Sequence, residues 1–207
     1  DASLSDAWMY AGIALFHLEK FEDAISAFDK HLTTNPSSIE SLMYRANALF
    51  RTARFGEAAD TCDEVLSLDP DLTEAWIVKG NALYETGKKQ DALAAYSKAL
   101  EVDPEHTEAW TRKGNVLHEL GRLMDAVIAY NKALDLDSGL EGIWMRKGDA
   151  LMDLGKTSDA AIAYQKSLNI DPDQVAGWIK KGRALFDLGR HDDAIDALDN
   201  AIALDQH

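Results

Sequence analysis

Six histidines, one cysteine and 36 acidic side chains are the groups in this 207-residue chain that could catalyse or bind metal. None of His17, His31, His106, His118, His191 and His207 stands three or four residues from another histidine or from Cys62. The pairwise helical spacing of a metal site is therefore missing, and no metal or cofactor is expected. No Gly-x4-Gly-Lys-Ser/Thr loop or Gly-x-Gly-x-x-Gly turn occurs, which removes the usual phosphate and dinucleotide signatures. The carboxylates are numerous enough that near pairs arise by chance and serve as a solvated face, so no acid/base couple is assigned. A different chemistry is repeated. Asn47, Asn81 and Asn115 stand 34 residues apart. A side-chain amide both donates and accepts, so amides in register can hold an extended backbone regardless of its sequence.

The same interval runs through the whole chain and defines the elements that must position these groups. Trp8, Leu42, Trp76, Trp110, Trp144 and Trp178 are each 34 residues apart. Four residues later come Gly12, Ala46, Gly80, Gly114, Gly148 and Gly182, and three further on a leucine in every copy. Then Ala24, Ala58, Ala92, Ala126, Ala160 and Ala194 recur, each followed by Phe28, Cys62, Tyr96, Tyr130, Tyr164 or Leu198. Trp76, Gly80 and Leu83 make one helical stripe, and Ala92, Tyr96, Ala99 and Leu100 make a second. Gly87, Gly121, Gly155 and Gly189 stand where the first helix would end in a left-handed cap. Pro36, Pro70, Pro104 and Pro172 stop the second helix. Ser138-Gly139-Leu140-Glu141-Gly142 lacks that proline and reads as a tolerated turn variant, with a hinge as the alternative. A helical glycine costs about 1 kcal/mol against alanine, so Gly80 and its equivalents imply a close approach by a neighbouring helix. The tryptophans are expected to fill the space beside it, at about 3–5 kcal/mol each if removed. Cys62 falls in the aromatic core slot and reads as packing.

The pattern Trp-x3-Gly-x2-Leu…Ala-x3-Tyr…Pro resembles the tetratricopeptide repeat family over residues 5–207. The copies divide as 5–38, 39–72, 73–106, 107–140, 141–174 and 175–207, a single array spanning 1–207. The resemblance implies an all-α, right-handed superhelical solenoid of antiparallel hairpins, with the first helices lining a concave groove. It also implies which side chains meet a ligand there. The asparagines at 47, 81 and 115 form a ladder of the kind that holds peptide backbone in this family. Tyr10, Met43, Tyr44 and Tyr84 give the N-terminal part an apolar, adaptable surface. Arg112, Arg146, Lys180 and Arg183 give the C-terminal part positive charge, suiting an acidic segment. Glu40, Glu74 and Glu108 border the same groove and compete for those cations. The lysine with which chaperone-tail binders of the family clamp a carboxylate is absent: Met9, Met43, Ile77, Thr111, Met145 and Ile179 stand in its place. Arg45, Lys79, Lys113, Lys147 and Lys181 form a separate stripe, read as stems packed between helices with their heads in water.

The net charge of −15 argues against a nucleic-acid partner, which needs a basic face. No apolar run approaches the ~20 residues that span a bilayer, and no membrane association is expected. With one cysteine and no leader-like start, a cytoplasmic location is expected. Ile195, Leu198 and Ile202 would leave an uncovered apolar face on the last helix, suggesting a longer parent protein or end-to-end self-association. The resulting expectation is a non-catalytic scaffold holding a peptide or partner segment. The rivals are the substrate-recruiting arm of a larger enzyme and a self-associating spacer.

Overall fold

The computed structural model describes residues 2–205, so Asp1 and His207, the latter closing the sixth expected repeat, lie outside the described residues. Among the described residues there are twelve helices and no strand. The chain divides into two compact units, Asp1–Pro104 and Glu105–His207. The first holds α1 (Ala2–His17), α2 (Phe21–Leu32), α3 (Ile39–Arg51), α4 (Phe55–Leu68), α5 (Thr73–Glu85) and α6 (Lys89–Val102). The second holds α7 (Thr107–Glu119), α8 (Leu123–Leu136), α9 (Glu141–Asp153), α10 (Thr157–Ile170), α11 (Val175–Asp187) and α12 (His191–Asp205). Within each unit every helix packs on the next, and first helices also touch: α1 on α3, α3 on α5, α7 on α9. Each unit is thus three hairpins stacked in sequence order. No helix among the described residues is long and apolar enough to cross a membrane.

The turn inside each hairpin is a left-handed cap. Gly87, Gly121, Gly155 and Gly189 have φ of 77°, 72°, 72° and 73°. Gly87 N–H donates to Tyr84 O and Lys88 N–H to Leu83 O, both at 2.9 Å, which satisfies the orphan carbonyls of α5. The first two hairpins make the same turn without glycine, holding Glu19 at φ 58° and Ala53 at φ 59°. Between hairpins the chain leaves the helix through an extended aspartate at Asp69, Asp103, Asp137 or Asp171. Its carboxylate accepts an N–H two residues on: Asp71 to Asp69, Gly139 to Asp137, Asp173 to Asp171. The proline-free 138–142 segment therefore makes the same turn as its neighbours.

The packing of the glycines corrects one expectation. A Cβ on Gly80 would stand 2.6 Å from Tyr96 Cε1; on Gly12, 2.6 Å from Phe28; on Gly114, 2.5 Å from Tyr130; on Gly148, 2.4 Å from Tyr164. The group that excludes a side chain is thus the aromatic ring of the hairpin's own second helix. These four rings are almost completely buried. The tryptophans are only half-buried and sit elsewhere, at the joint between hairpins. Trp76, Trp144 and Trp178 donate Nε1–H to the carbonyls of Pro70, Ser138 and Pro172 at 2.9, 3.1 and 2.8 Å. Trp76 also rests against the cluster of Leu42, Val65, Leu66 and Ala75. In the second hairpin the equivalent positions hold Ala46 and Cys62, both fully buried, so a larger first-helix residue accompanies a smaller second-helix one. Burial raises the Cys62 thiol pKa to about 12, consistent with a packing role.

Candidate functional site: the faces of the first helices

In the first unit the expected apolar surface is divided between exposure and packing. Tyr10 is 65% exposed. Tyr44 stacks on the buried Phe28 with ring centroids 5.8 Å apart, and meets Phe16 edge-on at 5.4 Å. Met43 rests against the Leu42–Val65 cluster, and Tyr84 is half-buried. Tyr10 is thus the one of these four that stands well out in solvent.

The asparagines are held by a bond that sequence reasoning missed. Tyr96 Oη–H donates to Asn81 Oδ1 at 2.7 Å, and Tyr130 Oη–H to Asn115 Oδ1 at 3.0 Å. At the same place in the fifth hairpin Tyr164 donates to Asp149 Oδ1 at 2.9 Å. The signal was present as a tyrosine fifteen residues after an amide or carboxylate. Asn47 has Cys62 in the tyrosine slot, and its Nδ2 instead donates to Met43 O at 2.9 Å within its own helix. Asn81 and Asn115 therefore have one acceptor lone pair committed and both amide hydrogens unused. Asn81 lies in the first unit and Asn115 in the second.

In the second unit the cations fall into two groups. Lys180 Nζ reaches Asp149 Oδ2 at 2.6 Å, joining adjacent hairpins, and Arg112 pairs with Glu108 at 3.2 Å one helical turn away. Arg146 and Arg183 are exposed and have no carboxylate within ion-pair distance among the described residues. Asp149, Met152, Asp153, Tyr164, Lys180 and Arg183 line a depression of about 370 Å³. Burial first, and then the Asp149 charge, raises the Tyr164 pKa, so that hydroxyl stays a donor throughout the ordinary pH range. His118 Nε2 lies 2.8 Å from Asp153 Oδ2 beside this depression.

The remaining expected groups are placed as follows. Ile195 and Ile202 are each 56% exposed on α12, while Leu198 is turned partly inward, where a Cβ on Gly182 would meet it at 2.8 Å. The basic stripe packs as its spacing suggests. Lys79, Lys113, Lys147 and Lys181 each lie 4.7–5.3 Å from the ring centroid of their own hairpin's tryptophan. No group of three or more metal-ligating side chains occurs among the described residues.

Paired helices with a left-handed internal cap, an aspartate turn between pairs and a polar first-helix face define a tandem helical-hairpin repeat protein. The tetratricopeptide repeat model matches residues 77–141 and 143–207, more than half of the chain, and the protein belongs to that family. A second model, that of subunit 3 of the anaphase-promoting complex or cyclosome, matches residues 17–99. Among solved structures, a MamA protein is similar at TM-score 0.79 and 22% identity, over 84% of this chain and 94% of that one. YrrB, described as a TPR protein with an unusual peptide-binding site, gives 0.76 and 22%, over 86% and 92%. MamA from Desulfovibrio magneticus RS-1 gives 0.76 and 20%, over 81% and 95%. At these identities the likeness concerns the fold. No curated protein matches the chain.

Proposed function

We propose that the first-helix face of each unit binds an extended segment of a partner protein, and that the face of the second unit takes an acidic one. The observation that carries this reading is the locking of Asn81 and Asn115 by tyrosine hydroxyls, which leaves both Nδ2 groups without a partner among the described residues. A rigid donor on a first-helix face suits a backbone carbonyl, because little side-chain entropy remains to be lost on binding. Arg146 and Arg183 supply uncompensated positive charge on a chain that otherwise carries −15. Lys180 and Arg112 are largely spent on Asp149 and Glu108, and act as supports. YrrB, with the same fold, is described by its peptide-binding site, which agrees with this reading. In it the chain has no catalytic role.

The test is a peptide-library selection on the wild type beside a folded Asn47→Ala, Asn81→Ala, Asn115→Ala triple variant, with helicity and melting measured for both. Enrichment on the wild type that disappears in the variant is expected, with acidic residues recurring at one end of the selected peptides. Equal enrichment on both proteins, or none on either, would sink the asparagine reading.

A further inference from the structure

Each unit also has a groove between consecutive second helices. In the first unit it separates α4 from α6, with about 630 Å³ of space bordered by Asp60, Asp63, Trp76, Lys79 and Thr86. In the second unit the same repeat positions form a groove of about 490 Å³ between α10 and α12, bordered by Ile162, Gln165, Trp178, Lys181 and Leu188. The geometry recurs, but the chemistry differs at the positions that matter.

In the first unit the cation above the tryptophan face has a carboxylate from the preceding hairpin. Arg45 Nε donates to Asp29 at 2.7 Å, and Lys79 Nζ pairs with Asp63. In the second unit the residues sixteen before Lys147 and Lys181 are the amides Asn131 and Gln165. Gln165 Nε2 turns along its own helix to Asn169 at 2.7 Å. Among the described residues neither lysine has a carboxylate within ion-pair distance; each has only the indole below it, at 4.7 and 4.8 Å. Burial lowers the pKa of both ammonium groups, despite Asp135 and Asp159 around Lys147 and Asp193 near Lys181. Asp193 is itself taken by Arg190 at 2.6 Å. Beside these lysines the second unit carries Ile128, Ile162 and Asp196, the isoleucines 51% and 57% accessible, where the first unit carries Ser26, Asp60 and Ala94.

We propose that the second-helix side of the C-terminal unit, from Ile128 and Lys147 to the α10–α12 groove beside Lys181, is a separate docking surface for a partner-protein segment that places carboxylates beside aliphatic side chains. The carboxylates fill the positions that Asp29 and Asp63 occupy in the first unit, against Lys147 and Lys181. The aliphatic groups cover Ile128, Ile162 and the exposed edge of Leu188. An acidic segment is selected over a neutral one because Asp135, Asp159 and Asp193 act on these half-desolvated ammonium groups only from beyond ion-pair distance, whereas a bound carboxylate meets them directly.

The test uses a phage library of random 12-residue peptides, selected on the full chain and on three double variants. Lys147→Gln with Lys181→Gln removes the cations. Asn131→Asp with Gln165→Asp supplies the carboxylates found in the first unit, filling the site from within while leaving the lysines in place. Arg146→Gln with Arg183→Gln alters only the first-helix face. The expected result is enrichment of acidic, aliphatic peptides on the wild type and on the Arg146/Arg183 variant. One enriched peptide, synthesised and titrated by fluorescence anisotropy, should bind about tenfold or more weakly to both other variants. The Asn131/Gln165 variant should melt no lower than the wild type, which separates loss of binding from loss of fold. The proposal is overturned if no peptide is enriched, if enriched peptides lack carboxylates, or if they bind the Lys147/Lys181 and Asn131/Gln165 variants as well as the wild type. It is equally overturned if binding is lost only in the Arg146/Arg183 variant, a result that would leave the first-helix reading intact. Sedimentation of the wild type as a dimer that the Lys181 substitution dissociates would assign the groove to a second copy instead.

Discussion

The close approach between Gly80 and Tyr96 predicts that one substitution changes sign with its background. A methyl added at Gly80 would stand 2.6, 2.8 and 3.0 Å from three carbons of a ring that is 1% exposed. The ring cannot swing away, because Oη is bonded to Asn81 and the opposite face is packed. Overpacking of this kind costs about 1–3 kcal/mol, offset by about 1 kcal/mol of improved helix propensity. Gly80→Ala should therefore destabilise the folded wild type by up to about 2 kcal/mol. Tyr96→Cys alone should cost about 3 kcal/mol or more through the cavity it opens. In that background no ring stands in the way, and Gly80→Ala should now stabilise by about 1 kcal/mol. The double variant reproduces the Ala46–Cys62 pair of the second hairpin, which the same backbone already accommodates. Urea unfolding followed by far-UV circular dichroism gives the four stabilities. Hydrogen exchange in α5 and α6 localises the effect, since hairpin arrays need not unfold in one step. The same sign for Gly80→Ala in both backgrounds would refute the ring-exclusion account of the repeated glycine.

Other consequences can be checked independently. Ala53 holds φ 59°, so Ala53→Gly should raise stability by roughly 1 kcal/mol, a reversal of the usual cost of glycine, read from thermal or urea midpoints. The Cys62 thiol, raised to about 12 by burial, should resist iodoacetamide at pH 8 in the folded chain and react readily in urea. Because the folded value exceeds the unfolded one, its contribution to stability is complete below about pH 8.5 and declines as pH rises towards 12. Stability measured from pH 8 to 11 should fall less in Cys62→Ala than in the wild type.

The helical period and the four glycine caps were legible because each depends on residue type at a fixed interval. Depth of burial was not. Trp76, Gly80 and Leu83 share one stripe, but a stripe carries no record of which partner crosses it, and the indole lies at the inter-hairpin joint while Tyr96 fills the interior. Glu19 and Ala53 were unreadable as caps because ordinary side chains tolerate left-handed backbone at modest cost when the surrounding turn imposes it. Among the candidate ligand-facing groups, the family resemblance picked out one repeat position for Asn81, Asn115 and Arg183 and another for Arg146. It did not reveal that Lys180 is engaged by Asp149 or that Met43 packs against the core, because both depend on a neighbouring hairpin.

The tyrosine-to-amide bond also constrains how the first-helix face can diverge. Where Tyr96, Tyr130 or Tyr164 is present, the residue fifteen positions earlier is Asn81, Asn115 or Asp149, each able to accept its hydroxyl proton. An aliphatic or cationic replacement there would strand a hydroxyl against a closed interior. Where the slot holds Phe28 or Leu198, the earlier position carries Ile13 or Arg183. Under the binding role proposed for this face, the permissive step towards a new ligand preference is therefore loss of a hydroxyl out of the ligand's reach. Only after that change is the outward-facing residue free to vary in charge and size.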